Sequence, residues 1–114
     1  MKFTIEERDN IILIRMEGDV IGGPDAATIS EKIRDFLSQG KKKFIIDLKS
    51  VRWMNSSGLG VLIGCLTTVR NNQGKLILLH IPTKVKELLK LTKLERVFQQ
   101  FENEDTAIEN FKEK

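Results

Sequence analysis

Cysteine and histidine are almost absent from this sequence of 114 residues. The single cysteine, Cys65, cannot form an internal disulfide, which is typical of a protein from a reducing cytoplasm. The single histidine, His80, lies far from that cysteine in the sequence, so the two make a poor ligand set and no metal site is predicted. Neither residue is accompanied by a catalytic constellation, and we interpret both as structural.

Long apolar runs are also missing. The longest are far shorter than the ~20 residues that a membrane helix requires, and residues 1–7 reach charged side chains too early for a signal peptide. The sequence therefore predicts a cytoplasmic protein without membrane insertion. A hydrophobic fraction of 40% and a charged fraction of 31% are typical of a soluble folded protein. We expect residues 1–114 to form a single domain.

Clustered charge of one sign is scarce. The chain has 19 basic and 16 acidic residues, a formal net charge of +3, and its only tight basic run is Lys41–Lys43. This run lies between a predicted helix and a predicted strand, where solvated lysines are the ordinary interpretation. No aromatic platform or groove-reading motif accompanies it. We therefore expect no nucleic-acid partner.

What the sequence does contain is an alternation of strand and helix patterns. The predicted elements, in order, are a hairpin of residues 3–6 and 11–16, a helix ending near Gly40, a strand at 43–48, a helix after the paired serines, a strand at 75–80, a short helix after Pro82, an edge strand and a terminal helix opened by Glu104. Because parallel strands need right-handed crossovers, this order predicts an α/β fold. Its sheet should be mixed, with about four to five strands and helices packed on it.

The predicted function is concentrated where the strand at 43–48 gives way to a helix. In open α/β sheets, sites are usually built at the carboxyl ends of strands. Asn55, Ser56 or Ser57 could cap the unpaired amides of the helix, which is the structural interpretation. A phosphate on one of these serines would be favoured by the same amides and by the helix dipole. Trp53, just before the turn, is expected to pack beneath it.

The helix after the serines carries an unusual face of small residues. Gly60, Gly64 and Thr68 recur every four residues, although each glycine costs a helix up to about 1 kcal/mol relative to alanine. Such a face lets another backbone approach, either from the domain itself or from a partner protein. The same geometry predicts that Val61 and Cys65 lie on the outer side of the helix. Together these residues predict a docking surface beside the serines.

The segment from Asp47-Leu48 through Met54-Asn55-Ser56-Ser57-Gly58-Leu59-Gly60 resembles the signature of STAS-domain anti-sigma-factor antagonists. The order of elements is similar to that family along nearly the whole chain. The resemblance implies that an anti-sigma factor serine kinase phosphorylates Ser56 with ATP and that a PPM-type phosphatase reverses the modification. It implies that the unphosphorylated protein binds the anti-sigma factor and frees a sigma factor.

No catalysis, cofactor or metal of the chain's own is expected, and alone it should be a monomer or a weak dimer. The residues assigned to partner binding are Asp19, Asn55, Ser57, Gly58, Gly60, Val61 and Gly64. Asn55 departs from the family, which usually has aspartate before the serine, and Ile21 stands where a second acidic residue is usual. The substitution at Asn55 keeps a second interpretation open, a STAS adaptor without phosphorylation, such as the small cytoplasmic subunit of ABC-type lipid-transport complexes.

Overall fold

The computed structural model describes residues 1–112, which form one five-stranded sheet and four helices. The strands are β1 (Lys2–Arg8), β2 (Ile11–Val20), β3 (Lys43–Met54), β4 (Lys75–Leu79) and β5 (Gln99–Phe101). The helices are α1 (Pro24–Ser38), α2 (Ser56–Asn71), α3 (Thr83–Leu91) and α4 (Glu104–Lys112). The sheet has the order β1-β2-β3-β4-β5, with β1 antiparallel to β2 and all other neighbours parallel. The predicted α/β fold with a mixed sheet is confirmed.

The first two strands form the predicted hairpin. Arg8 and Ile11 are register partners, so only Asp9 and Asn10 connect the strands. Both connecting residues have positive φ, 53° and 66°. A two-residue turn with positive φ at both positions matches the right-handed twist of the strands, and Asp and Asn tolerate that backbone conformation better than most residues.

The two faces of the sheet are covered by different helices. Phe44 and Ile46 of β3 belong to the larger core cluster, to which α1, α2 and α3 all contribute buried side chains. Ile45, between them in the sequence, belongs to a smaller cluster completed by Ala107 and Ile108 of α4. Because successive strand residues point to opposite faces, a central strand covered on both sides reads as a continuous apolar run.

Strand β3 is longer than predicted. The sequence predicts its end at Leu48, because Lys49 and Ser50 interrupt the apolar run, but the strand continues to Met54. The ten-residue strand β2 supplies backbone partners along this extension, with register shifts between Arg15 and Glu17 and between Gly18 and Asp19. The extension carries the following turn beyond the point where β4 ends.

None of the helices in residues 1–112 is long and apolar enough to cross a membrane.

Candidate functional site

Helix α2 begins directly after β3 and is capped by Asn55. The Asn55 side-chain Oδ1 accepts a hydrogen bond from the Gly58 amide at 2.8 Å, and its backbone oxygen accepts from the Leu59 amide at 2.9 Å. The sequence left three candidates for this cap, and the structure selects Asn55. The hydroxyls of Ser56 and Ser57 are therefore not needed for capping. Both serines are exposed.

Gly58 allows α2 to start in contact with the end of β2. A methyl group on Gly58 would lie 1.8 Å from the Val20 carbonyl oxygen and 3.1 Å from Met54 Cγ. Gly58 is buried by this contact. The prediction that Gly58 belongs to an exposed partner-binding surface is therefore wrong. Gly58 allows α2 to pack closely against the end of β2 within the domain.

A shallow groove lies between α1 and α2, beside the paired serines. Its volume is about 370 Å³, and glycine and alanine make up most of its lining. Apart from its chain neighbours and the adjacent backbone of α2, a methyl group on Gly60 or Gly64 would meet no described atom within 4 Å. Packing within residues 1–112 therefore does not account for these two glycines, and their face is open to solvent. The residues assigned to partner binding that line this groove are Ser57, Gly60, Val61 and Gly64.

The prediction that Val61 and Cys65 lie on the outer side of α2 is wrong. Val61 is 9% exposed and Cys65 only 1%. Both belong to the large core cluster together with Ile29 and Ile33 of α1. Because α1 packs alongside α2, a second stripe of α2 is covered in addition to the one that faces the sheet. Burial raises the pKa of the Cys65 thiol to about 11, which agrees with a packing role.

Two large apolar side chains are exposed near the carboxyl ends of β2 and β3. Ile21 follows β2 and is 50% exposed, and Trp53 lies near the end of β3 and is 48% exposed. The prediction that Trp53 packs beneath the serine turn is wrong. Trp53 is the register partner of Asp19, and the next pair, Val20 and Met54, is the one that points into the core cluster shared with α1 and α2. The sequence pattern does not predict that the side chains of Ile21 and Trp53 are exposed. Exposed large apolar and aromatic side chains are typical of protein-binding surfaces.

Asp19 lies next to Trp53 across the β2–β3 pair and is held by Arg52. Arg52 Nε donates to Asp19 Oδ1 and Arg52 Nη2 to Asp19 Oδ2, both at 3.0 Å. These hydrogen bonds lower the pKa of the Asp19 carboxyl. Sequence reasoning missed Arg52, which neutralises the acidic residue assigned to partner binding.

His80 does not line the groove between α1 and α2. Its ring contacts a carboxylate. Its Nδ1 is 3.0 Å from Asp47 Oδ1, while Arg15 Nη1 donates to Asp47 Oδ2 at 2.7 Å. The structural interpretation of His80 agrees with this contact. Within residues 1–112, no group of three or more histidine, cysteine or acidic side chains is arranged to hold a metal ion.

A family model and several curated relatives match most of this chain. A family model described as the STAS domain matches residues 2–107. The anti-sigma-B factor antagonist of Staphylococcus aureus is 24% identical over 106 residues, which cover 93% of this chain and 94% of that protein. The anti-sigma F factor antagonist of Paenibacillus polymyxa is 22% identical over 113 residues, which cover 95% and 92% of the two chains.

Solved structures share the fold. The Thermotoga maritima protein TM1081 has a TM-score of 0.86 at 23% identity, over 97% of this chain and 95% of that one. The anti-sigma factor antagonist SpoIIAA in its unphosphorylated form has a TM-score of 0.76 at 21% identity, over 97% and 98%. SpoIIAA in its phosphorylated form has a TM-score of 0.75 at 22% identity, over 96% and 99%.

Proposed function

Because the chain belongs to the STAS domain family, we propose that it is an anti-sigma factor antagonist controlled by phosphorylation of Ser56. When unphosphorylated it binds an anti-sigma factor and thereby releases a sigma factor. The anti-sigma factor is itself the serine kinase, and a PPM-type phosphatase restores the active form. Two relatives that match over more than nine-tenths of their length are an anti-sigma-B factor antagonist and an anti-sigma F factor antagonist. In the proposed role this chain contributes a substrate serine rather than a catalytic group.

The observation that carries the proposal is an exposed serine at the first position of a helix, beside an open groove of small residues. Ser56 is exposed, and its hydroxyl is free of the capping role that Asn55 fills. A kinase can reach it without unfolding the helix. A partner lying in the groove would be close enough to meet a phosphate at this position.

Ser56 is the better acceptor of the two serines. A methyl group on Gly22 would lie 3.3 Å from Ser57 Cβ, so Ser57 packs near the loop between β2 and α1. Ser57 also lines the groove, whereas Ser56 is not among the lining residues. This division supports Ser56 as the modified residue and Ser57 as a contact residue.

The start of α2 is electrostatically suited to a phosphate. The first turn of the helix contains no acidic residue, and its amides and dipole favour a group of about −1.5 to −2 charges. The nearby Asp19 carboxylate is paired with Arg52 and is thus partly neutralised. Modification therefore adds charge and bulk to the surface while leaving the fold in place, and a switch of this kind acts on association.

The partner surface combines three kinds of group. Gly60 and Gly64 provide an open strip for close backbone approach, while Ile21 and Trp53 provide exposed apolar area near the carboxyl ends of β2 and β3. Tryptophan is enriched among residues that dominate binding energy. We propose that Trp53 anchors the partner and that Asp19 contributes a polar contact at the edge.

Phosphate mapping tests the proposal directly. Incubation of the full chain with its anti-sigma factor kinase and ATP is expected to add one phosphate, located at Ser56 by fragmentation mass spectrometry. Ser56→Ala should remain unmodified, whereas the matched variant Ser57→Ala should still gain one phosphate, located at Ser56. A phosphate found mainly at Ser57 would contradict the assignment. Complete lack of modification would favour the constitutive adaptor interpretation.

Ser56→Asp is expected to change stability and binding in opposite directions. An aspartate at a helix N-terminus should leave the free energy of unfolding unchanged or raise it by about 0.3–1 kcal/mol. Affinity for the anti-sigma factor should fall at least tenfold, about 1.4 kcal/mol, because the surface gains charge where the partner rests. Calorimetric titration and urea unfolding measure the two effects.

Ser50→Asp is the matched control for this experiment. Ser50 is an exposed residue of β3, and its replacement adds the same charge away from the start of α2. It should bind the anti-sigma factor like the wild type. If Ser56→Asp also keeps wild-type affinity, the phosphoswitch must be abandoned and an adaptor role remains.

A further inference from the structure

A second groove lies at the amino ends of β3 and β4, at the opposite end of β3 from Ser56. Its volume is about 270 Å³. Cationic and amide side chains dominate its lining, and among residues 1–112 none of the lining side chains is acidic. The chemically important members are Lys42, Lys43, Gln73, Lys75, Asn110 and Phe111.

Two of these lysines are placed side by side by the sheet. Lys43 and Lys75 are register partners in the first rung of the parallel β3–β4 pair. Register partners share a face of the sheet, and like charges in directly opposed positions destabilise a strand pair. The fold thus maintains a repulsion at the start of two central strands, which a bound anion would relieve.

The three ammonium charges in the groove are not neutralised by carboxylates of the described chain. Lys42 Nζ donates to the Asn72 carbonyl at 2.6 Å, and Lys75 Nζ donates to the neutral amide of Asn110. Lys43 forms no ion pair with residues 1–112. By contrast, the neighbouring Lys41 is paired with Glu7 at 2.8 Å.

The uncompensated charge leaves donors for an external anion. A lysine ammonium has three N–H donors, and Lys42 and Lys75 each use one on a neutral acceptor. The ring of Phe111 lies 5.5 Å from the Lys75 ammonium and forms an apolar wall of the groove. The walls contributed by α4 make this a concave site, which suits a small molecule better than a flat membrane surface.

We propose that this groove binds the phosphate or pyrophosphate group of a small molecule. Lysine binds phosphate as a point charge, and three lysines around one groove provide the positive potential. The site is separate from the serine surface and does not depend on the switch proposed there. Its occupation would join the starts of β3 and β4 to α4.

Binding is tested by NMR titration of the full chain with inorganic pyrophosphate, at an ionic strength held constant with KCl. Saturable amide shifts are expected at residues 42–43, 73–75 and 110–111. Lys43→Gln and Lys75→Gln should each weaken pyrophosphate binding at least tenfold. Lys32→Gln, which removes an exposed lysine of α1, should bind like the wild type.

Thermal unfolding distinguishes a ligand site from a structural role of the lysines. Without pyrophosphate, Lys43→Gln should unfold at the same or a higher Tm than the wild type, because a like-charge repulsion is removed. Pyrophosphate should raise the Tm of the wild type but not that of Lys43→Gln.

Three results would overturn the proposal. They are shifts that do not saturate, shifts spread equally over the lysines of α3, and equal pyrophosphate responses of wild type and Lys43→Gln. Binding to vesicles of anionic phospholipid without any response to pyrophosphate would also overturn it, because the lysines would then serve a membrane surface.

Discussion

Gly58→Ala is expected to lower the free energy of unfolding by about 3 kcal/mol, at the upper end of the usual cost of overpacking. The new methyl group would lie 1.8 Å from the Val20 oxygen and 2.6 Å from the Val20 carbonyl carbon. Both are backbone atoms at the end of β2, so no side-chain rotation can relieve the clash. Either the start of α2 or the end of β2 has to move. Urea unfolding followed by circular dichroism measures the loss.

Gly60→Ala is the matched control, because it makes the same change one position past Leu59 in the same helix. Among the described residues, a methyl group on Gly60 meets no atom within 4 Å other than its chain neighbours and the adjacent backbone of α2. Without a clash, the higher helix propensity of alanine should raise the free energy of unfolding by about 0.5–1 kcal/mol. Equal unfolding midpoints for the two variants would contradict the assignment of Gly58 as a close-packing glycine.

Asp47→Asn is expected to cost about 3 kcal/mol, because removing one partner of a buried charge network leaves the others uncompensated. Asp47 is 5% exposed. Its Oδ1 accepts from the Lys49 amide at 2.9 Å and lies 3.0 Å from His80 Nδ1, while its Oδ2 accepts from Arg15 at 2.7 Å. An asparagine has only one accepting oxygen, so its NH₂ group would face one of these donors.

The same network predicts how stability depends on pH. Burial by itself would raise the pKa of the Asp47 carboxyl, but the hydrogen bonds from Lys49, His80 and Arg15 outweigh it and hold the pKa below its usual range. A lowered pKa in the folded state means that the stabilisation is present above pH 4 and is lost as the pH falls through the folded value. The wild type should therefore lose stability in acid more steeply than Asp47→Asn. Glu104, whose pKa is lowered by its hydrogen bond from Arg15, keeps part of the acid dependence in the variant.

Asp105→Asn is the matched control for the free energy of unfolding and for its dependence on pH. Asp105 is also paired with an arginine, Arg8, at 3.3 Å, but its side chain is 81% exposed. Exposed ion pairs contribute little, so this variant should stay within about 0.5 kcal/mol of the wild type. If Asp47→Asn is no more destabilising than Asp105→Asn, the buried network does not hold the sheet to α4.

The Gly58 contact and the Asp47 network would both support the proposed switch at the start of α2. Gly58 fixes the helix against β2 from one side, and Asn55 caps its first turn. The Asp47 network holds the opposite face of the sheet at a distance from the serines. In the proposed function, a group added at Ser56 would meet this fixed helix end, so that its free-energy effect would fall on association with a partner.

The sequence by itself determined the order of strands and helices and the position of the serine turn. These features depend on local patterns: the apolar run of β3, the helical spacing in α2, and the turn residues Asp9 and Asn10. Each pattern acts over a few neighbouring residues, because side-chain periodicity and turn chemistry follow from backbone geometry. The single domain proposed for residues 1–114 stays a prediction.

Only the tertiary structure decided which residues of the serine turn face solvent. Periodicity shows that α2 has one apolar stripe, but not that α1 covers a second one, and so Val61 and Cys65 were misplaced. The burial of Gly58 depends on Val20, and the exposure of Trp53 depends on the register shift that pairs it with Asp19. Contacts of this kind join residues more than thirty positions apart. Local sequence carries no record of such pairs, because they form only when the crossovers bring the strands together.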